Sequence, residues 1–234
     1  MGPCGKGWAG APAGARASAL SEAVTPSLNP SSSPPLPACT RAGCAWYTSH
    51  YCEENILRLC GDLLRPAEES GVQLYVVFVS NRARQVPLWC QRLADRQHEP
   101  VLWDYHVVLL AQHAHGNWVY DLDSTLPFPS EATLYMTHAF RKGAAMDERY
   151  RQVFRVVPAR ECADHFASDR SHMIQVGGTY SARPPDHPLL RGPRSRTAHN
   201  MDEWINMDAS TGRGRVMTLA EMEIFVGHSP HRYI

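Results

Sequence analysis

The run Val101-Leu102-Trp103-Asp104-Tyr105-His106-Val107-Val108-Leu109-Leu110 constrains this chain more than any other stretch. It joins aromatic and β-branched side chains without an internal Gly or Pro, which reads as one strand. A single imidazole, His106, sits in the middle of it. Asn117-Trp118-Val119-Tyr120-Asp121-Leu122-Asp123 reads as a second strand. The polar Ala111-Gln112-His113-Ala114-His115-Gly116 between them suits an antiparallel hairpin. With the turn centred between His113 and Ala114, His106 faces Asp121, Val108 faces Val119 and Leu110 faces Asn117. A buried imidazole opposite a carboxylate is the base-and-orienter half of a nucleophilic triad. The competing reading is a core histidine bonded to a neighbour, and a slip of one residue would break the pairing.

Ahead of the hairpin, Ile56, Leu59, Cys60, Leu63 and Leu64 recur at helical spacing. Thr48 or Ser49 is the expected N-cap, and Glu53 and Glu54 fall in the first turn, where the helix dipole favours acid. Cys52 therefore lies at or near a helix start. Thiol pKa values fall there, and free backbone N–H groups can hold an oxyanion. A structural thiol is the plainer reading for any such cysteine, and Cys60 and Cys44 fit that reading better.

The remaining elements are short. Leu74–Val79 and Val86–Trp89 read as strands joined by a turn, with Pro87 suggesting an edge position. Leu126–Ser130 is extended, and Glu131–Arg141 reads as a helix. Phe154–Val157 reads as a strand, and Pro158 opens a short helix to Phe166. Asn200–Glu203 and Thr218–Glu221 resemble capping boxes, the second starting a helix ended near Gly227. Phe166-Ala167-Ser168-Asp169-Arg170-Ser171-His172-Met173 is either a solvated loop or part of a site rim, and composition alone favours the loop. Residues 183–197 read as an exposed loop rich in Pro and Arg. These elements make an α/β (α+β) fold: a mostly antiparallel sheet with a nucleophile-bearing helix.

Composition removes several function classes. Charged residues make up 20% of the 234, and the formal net charge is zero with His neutral. Neither nucleic acid nor a membrane surface is called for as a partner. No apolar run approaches a spanning helix, and Met1–Lys6 lacks the start of a secretory signal. The seven cysteines are odd in number and form no CxxC. A disulfide framework or structural zinc is thus not expected, and reduced thiols in the cytosol or nucleus are. Residues 1–39 are mostly Ala, Pro, Ser and Gly. They are expected to form a disordered leader to a single catalytic domain over 40–234.

The candidate constellation is Cys52 as nucleophile, His106 as base and Asp121 as orienter. A cysteine on a helix start followed by His and Asp on adjacent strands is the order of papain-like and transglutaminase-like enzymes. Other readings are weaker. Asp121-Leu122-Asp123 resembles a metal-binding pair without further carboxylates near it, and His113 with His115 sits in a turn. No Gly-rich phosphate loop is present.

Several stretches resemble one known family, the protein N-terminal glutamine amidohydrolases. They are Tyr51-Cys52-Glu53-Glu54-Asn55-Ile56, Phe78-Val79-Ser80-Asn81, Trp103 through Leu110, Tyr120-Asp121-Leu122-Asp123, Leu126-Pro127-Phe128-Pro129 and Phe166 through Met173. The resemblance runs from about Cys44 to Phe225, with 174–197 following it loosely. It implies a transglutaminase-like core and catalytic Cys52, His106 and Asp121. It also implies deamidation of N-terminal glutamine to glutamate, with no cofactor, in the N-degron (N-end rule) pathway. The expected partners are peptides or proteins starting with Gln, and the expected state is a monomer. The rivals are a cysteine peptidase or transglutaminase and, from another class, a binding module without turnover. Only a free α-ammonium distinguishes terminal from internal glutamine, so a carboxylate is expected to receive it. Glu53, Glu54, Asp104 and Asp169 are the candidates.

Overall fold

The computed structural model describes residues 6–7, 34–36, 40–96, 98–140 and 146–227. In chain order these form β1 (Lys6–Gly7), α1 (Cys52–Ser70), β2 (Gln73–Ser80), β3 (Val86–Leu88), β4 (Val101–Trp103), β5 (His106–His113), β6 (Gly116–Tyr120) and β7 (Ser130–Glu131). Then come α2 (Ala132–Ala139), β8 (Val153–Pro158), α3 (Ala159–His165), β9 (Ala167–Ser168), β10 (Leu190–Arg191), α4 (Met201–Ile205), β11 (Arg215–Thr218) and α5 (Leu219–Gly227). Six strands make the main sheet in the order β11-β8-β2-β5-β6-β7, each pair antiparallel. The fold is mixed α/β with an antiparallel sheet, as the strand and helix patterns predict.

Helices cover both faces of that sheet. Phe78 of β2 stacks on Trp204 of α4 at 5.7 Å, whereas Tyr75 meets Phe225 of α5 edge-on at 5.4 Å. Three residues apart on one strand, these two side chains point to opposite faces. This explains why Val76 to Val79 form a continuous apolar run instead of alternating. Helix α1 packs on β5 and β2 through the buried row Ile56, Leu59, Cys60 and Leu63. It ends at Gly71, which adopts the left-handed conformation (φ 68°) that glycine takes without penalty.

The expected ten-residue strand is two strands in two sheets. β4 pairs with β1 and β3 in a small sheet, and β5 enters the main one. The break lies at Asp104-Tyr105. Ser80 Oγ donates to the Asp104 carbonyl at 2.7 Å, and Asp104 Oδ1 accepts the Tyr105 N–H at 2.9 Å. Those backbone groups are thus satisfied outside a ladder.

The hairpin register also differs. His113 pairs with Gly116, Leu110 with Val119 and Leu109 with Tyr120, so Ala114-His115 is the two-residue turn. Each β5 residue meets a partner two places further along β6 than expected. A shift of two keeps every side chain on its face, unlike a shift of one. The second strand stops at Tyr120, before Asp121.

The cap of α1 is Tyr51, without a side-chain bond, and not Thr48 or Ser49. Thr48 instead takes part in a reciprocal pair. Its N–H donates to Asn55 Oδ1 at 2.9 Å, and Asn55 Nδ2 donates to its carbonyl at 2.7 Å. Of the two expected capping boxes, Thr218–Glu221 forms, with Thr218 N–H on Glu221 Oε2 and Glu221 N–H on Thr218 Oγ1. Asn200 caps α4 by position only, because its side chain accepts from Ala167 N–H and Trp204 Nε1–H.

The expectation of a disordered leader falls largely outside the described residues, as does that of a frayed tail after Gly227. Helix α2 runs only from Ala132 to Ala139 because Phe140 is extended, short of the expected Arg141. Within the leader, Lys6–Gly7 pairs with Leu102 and Val101, and Leu36 is buried against the core.

Asn55 is a buried tether between the helix start and the chain that leads into it. Asn55→Ala removes both bonds, and leaving the Thr48 N–H without its acceptor costs about 1–3 kcal/mol, while the Thr48 carbonyl keeps Tyr51 N–H at 3.3 Å. A thermal melt should show the midpoint falling accordingly, with Asn55→Asp intermediate because it keeps only the acceptor. An unchanged midpoint in Asn55→Ala would refute the tether.

Candidate active site

Cys52 is the first residue of α1 and is 2% exposed. Helix α1 packs on β5, and the Val107 N–H, one residue past His106, faces the Cys52 thiol. Its Sγ lies 3.7 Å from Glu53 Oε2. Burial pushes the thiol well above its usual pKa, and the charges of Glu53 and Asp123 add to this, against the pull of the Val107 N–H. The expected lowering at a helix start is therefore overridden. Resting Cys52 is a neutral thiol.

His106 is fully buried and stacks on Trp103 at 4.8 Å. Its Nε2 lies 3.0 Å from Asp121 Oδ1, and its Nδ1 is buried with no hydrogen-bond partner among the described residues. Burial lowers the imidazole's pKa, but Asp121, Asp123 and Glu53 outweigh it and leave the ring above its ordinary value. With Nε2–H donating to Asp121, Nδ1 is the nitrogen left to accept a proton.

Asp121 reaches His106 by a different route from that expected. After Tyr120 the chain turns, with Ser124 N–H on the Asp121 carbonyl, and the turn brings the carboxylate back to the imidazole. Four donors hold it. Oδ1 accepts from His106 and from Asp123 N–H at 2.9 Å. Oδ2 accepts from Tyr135 OH at 2.8 Å and Gln91 Nε2 at 3.1 Å. Burial alone would raise its pKa, but His106, Tyr135 and Gln91 hold it below the usual carboxylate value. His106, Asp121 and Asp123 also offer three potential metal-ligand atoms within 4.8 Å of one another. Both oxygens of Asp121 are already filled by hydrogen-bond donors, and Tyr47 OH donates to Asp123 Oδ1. This donor set suits proton transfer better than a cation.

The four candidate carboxylates for the substrate amine separate clearly. Glu54 is buried and held by a two-pronged bond to Arg170, Nε to Oε1 at 2.9 Å and Nη2 to Oε2 at 2.8 Å. Asp169 accepts from Ser171 N–H and pairs with His199 at 3.1 Å. Asp104 accepts the Tyr105 N–H. Glu53 is buried beside Cys52. Its Oε2 accepts from Tyr105 OH at 3.1 Å, and its Oε1 has no hydrogen bond, with His172 Nε2 at 3.5 Å.

The Phe166–Met173 stretch is site rim, not the solvated loop that composition favours. Arg170 reaches inward to Glu54 and to the carbonyls of Pro185 and His187, while His172 lies against Glu53 and Tyr105. Sequence reasoning missed Tyr47, Gln91, Tyr135, Tyr105, His172 and the electrostatic role of Asp123. The signal available was Arg170 and His172 between apolar Phe166 and Met173, a spacing that anchors the stretch and turns polar groups inward. Gln91 and Tyr135 carried none, because distant segments bring them in.

Fold and site together define a mixed α/β protein in which a helix-start cysteine meets the strand carrying one member of a buried histidine–aspartate pair. The chain belongs to the N-terminal glutamine amidase family, whose pattern residues 47–226 match. It is 40% identical over 190 residues to a Homo sapiens protein named protein N-terminal glutamine amidohydrolase, covering 81% of this chain and 88% of that one. Proteins of the same name from Danio rerio and Drosophila mojavensis are 39% and 38% identical, covering 78% and 79% of this chain and 88% and 90% of theirs.

The raised pKa of His106 gives a direct test. NMR titration of its ring should show a midpoint above the ordinary 6.5. Asp123→Asn removes one of the anions that stabilise the imidazolium, so the midpoint should move down. A midpoint below 6.5 in the native chain, or no shift in the variant, would contradict the electrostatics described.

Proposed function

We propose that this protein hydrolyses the side-chain amide of an N-terminal glutamine, leaving glutamate and ammonia, through a thioester on Cys52. The observation that carries the reading is the buried His106–Asp121 pair with a free Nδ1, at the start of β5, against which α1 and its first residue Cys52 pack. The relatives' shared name supplies the substrate.

Cys52 Sγ attacks the amide carbon as its proton passes to His106 Nδ1. Asp121 keeps Nε2 protonated and stabilises the imidazolium. Backbone N–H groups of the first turn of α1, which have no intrahelical acceptors, are suited to the oxyanion. His106 then protonates the departing nitrogen, and ammonia leaves. Water, deprotonated by His106, attacks the thioester and restores the thiol. The chain order of cysteine, histidine and aspartate supports a transglutaminase-like core. We place the protein in the cytosol or nucleus as a monomer acting on peptide and protein N-termini, in the N-degron pathway. The described free thiols support a reducing compartment. Among the described residues no helix is long and apolar enough to cross a membrane.

Ammonia release from a Gln-initiated peptide tests this. Cys52→Ala should abolish it, whereas Cys60→Ala, on the buried face of α1, should lower stability and keep turnover. Asp121→Asn should lower kcat by on the order of 10²–10⁴ with the fold retained, because the imidazole loses its correct tautomer. Peptide-bond cleavage or acyl transfer to an amine in place of ammonia release would point to a peptidase or a transglutaminase. Turnover by Cys52→Ala would remove the thioester.

A further inference from the structure

We propose that Glu53 is the receptor for the substrate's α-ammonium, and that arrival of this cation on its free Oε1 switches on the adjacent Cys52 thiol. The inference rests on the deamidase reading above and adds to it a reason why only a terminal glutamine reacts.

Three observations carry it. Glu53 is fully buried, yet Oε1 has no hydrogen bond, an arrangement costly enough to ask for a cationic or donating ligand. Its other oxygen is fixed, with Tyr105 OH at 3.1 Å and the Cys52 thiol at 3.7 Å, so the carboxylate cannot swing away. The other three candidate carboxylates have partners already, Glu54 most completely through Arg170. A glutamine is short enough that its ammonium can sit on the carboxylate beside the sulfur while its side-chain carbon meets the sulfur.

The consequence is electrostatic. An ionised Glu53 next to Cys52 opposes thiolate formation, so the resting nucleophile is held back. A bound ammonium neutralises that field at the moment a substrate is present. An acetylated terminus or an internal glutamine brings no cation and leaves the thiol suppressed.

His172 sets the acid limit of this device. Its Nε2 is 3.5 Å from Glu53 Oε1 and 3.2 Å from Tyr105 OH. The groups facing it are Glu53 and Glu54 from α1, Asp104 and Tyr105 from the link between β4 and β5, and His199. Burial lowers the His172 pKa, but its contact with Glu53 outweighs this and holds the ring above its ordinary value, so as the pH falls the imidazolium on Oε1 competes with the ammonium.

The test uses Glu53→Gln, which keeps shape and removes charge, and Glu53→Asp, which keeps charge and withdraws it. In Glu53→Gln, kcat/KM for a free Gln-peptide should fall at least tenfold, with the thermal midpoint nearly kept. Alkylation of substrate-free Cys52 by iodoacetamide at pH 7 should at the same time become several-fold faster. Glu53→Asp should raise KM but leave alkylation slow. In the native chain KM should climb at acid pH on top of the fall in kcat that protonation of His106 brings, and His172→Asn should flatten the climb in KM while leaving the kcat profile in place. Unchanged kcat/KM in Glu53→Gln, or alkylation no faster than in the native chain, would overturn the proposal. If Glu53→Gln does not fold, slow alkylation with raised KM in Glu53→Asp supports the proposal, and unchanged KM overturns it. A native chain that releases no ammonia from Gln-peptides defeats the deamidase reading instead, and alkylation still reports on Glu53 separately.

Discussion

The carboxylate of Asp121 is buried at the end of β6, where an unpaired charge would be costly. Four donors offset that cost, and each comes from a different part of the chain: His106 from the start of β5, Asp123 N–H from the turn, Gln91 from the segment after β3, and Tyr135 from α2. Satisfying this one group therefore fixes where the hairpin, the small sheet and α2 meet. It also fixes the tautomer of His106, and with it the nitrogen that is left open toward chemistry. The small sheet ends at Trp103, which stacks over the same imidazole.

A second buried arrangement mirrors the first. Glu54 faces outward from the start of α1 to Arg170, and Arg170 also gathers the carbonyls of Pro185 and His187. The rim loop is thus tied to the helix that carries Cys52. Glu53, one residue earlier, turns toward the thiol, Tyr105 and His172. Consecutive glutamates on one helix turn thus take different partners, Glu54 the rim arginine and Glu53 the thiol side.

Much of this was legible in the sequence because it is local. The helix over Cys52, the apolar strand over Leu74–Val79 and the Thr218–Glu221 box each follow from spacing within a few residues. The pairing of His106 with Asp121 was read correctly through a register that was off by two, since such a shift preserves the face and a turn supplies the remaining reach. What failed was non-local. Thr48 looks like a cap until Asn55 reaches back to it. Val101–Leu110 looks like one strand until Ser80 takes the Asp104 carbonyl. Arg170 and His172 look solvated until Glu54 and Glu53 are seen opposite them. The helix dipole at Cys52 pointed to a low thiol pKa, whereas burial and two carboxylates win and reverse it.

The proposed chemistry passes through a covalent intermediate at one sulfur. Rapid acid quenching of the protein during turnover of a Gln-initiated peptide, followed by digestion and mass spectrometry, reads it directly. A thioester mechanism should leave an adduct on Cys52 equal to the peptide less ammonia, one that hydroxylamine removes. The same adduct on another residue, or ammonia release at full rate with no adduct on Cys52 at any quench time, would contradict it.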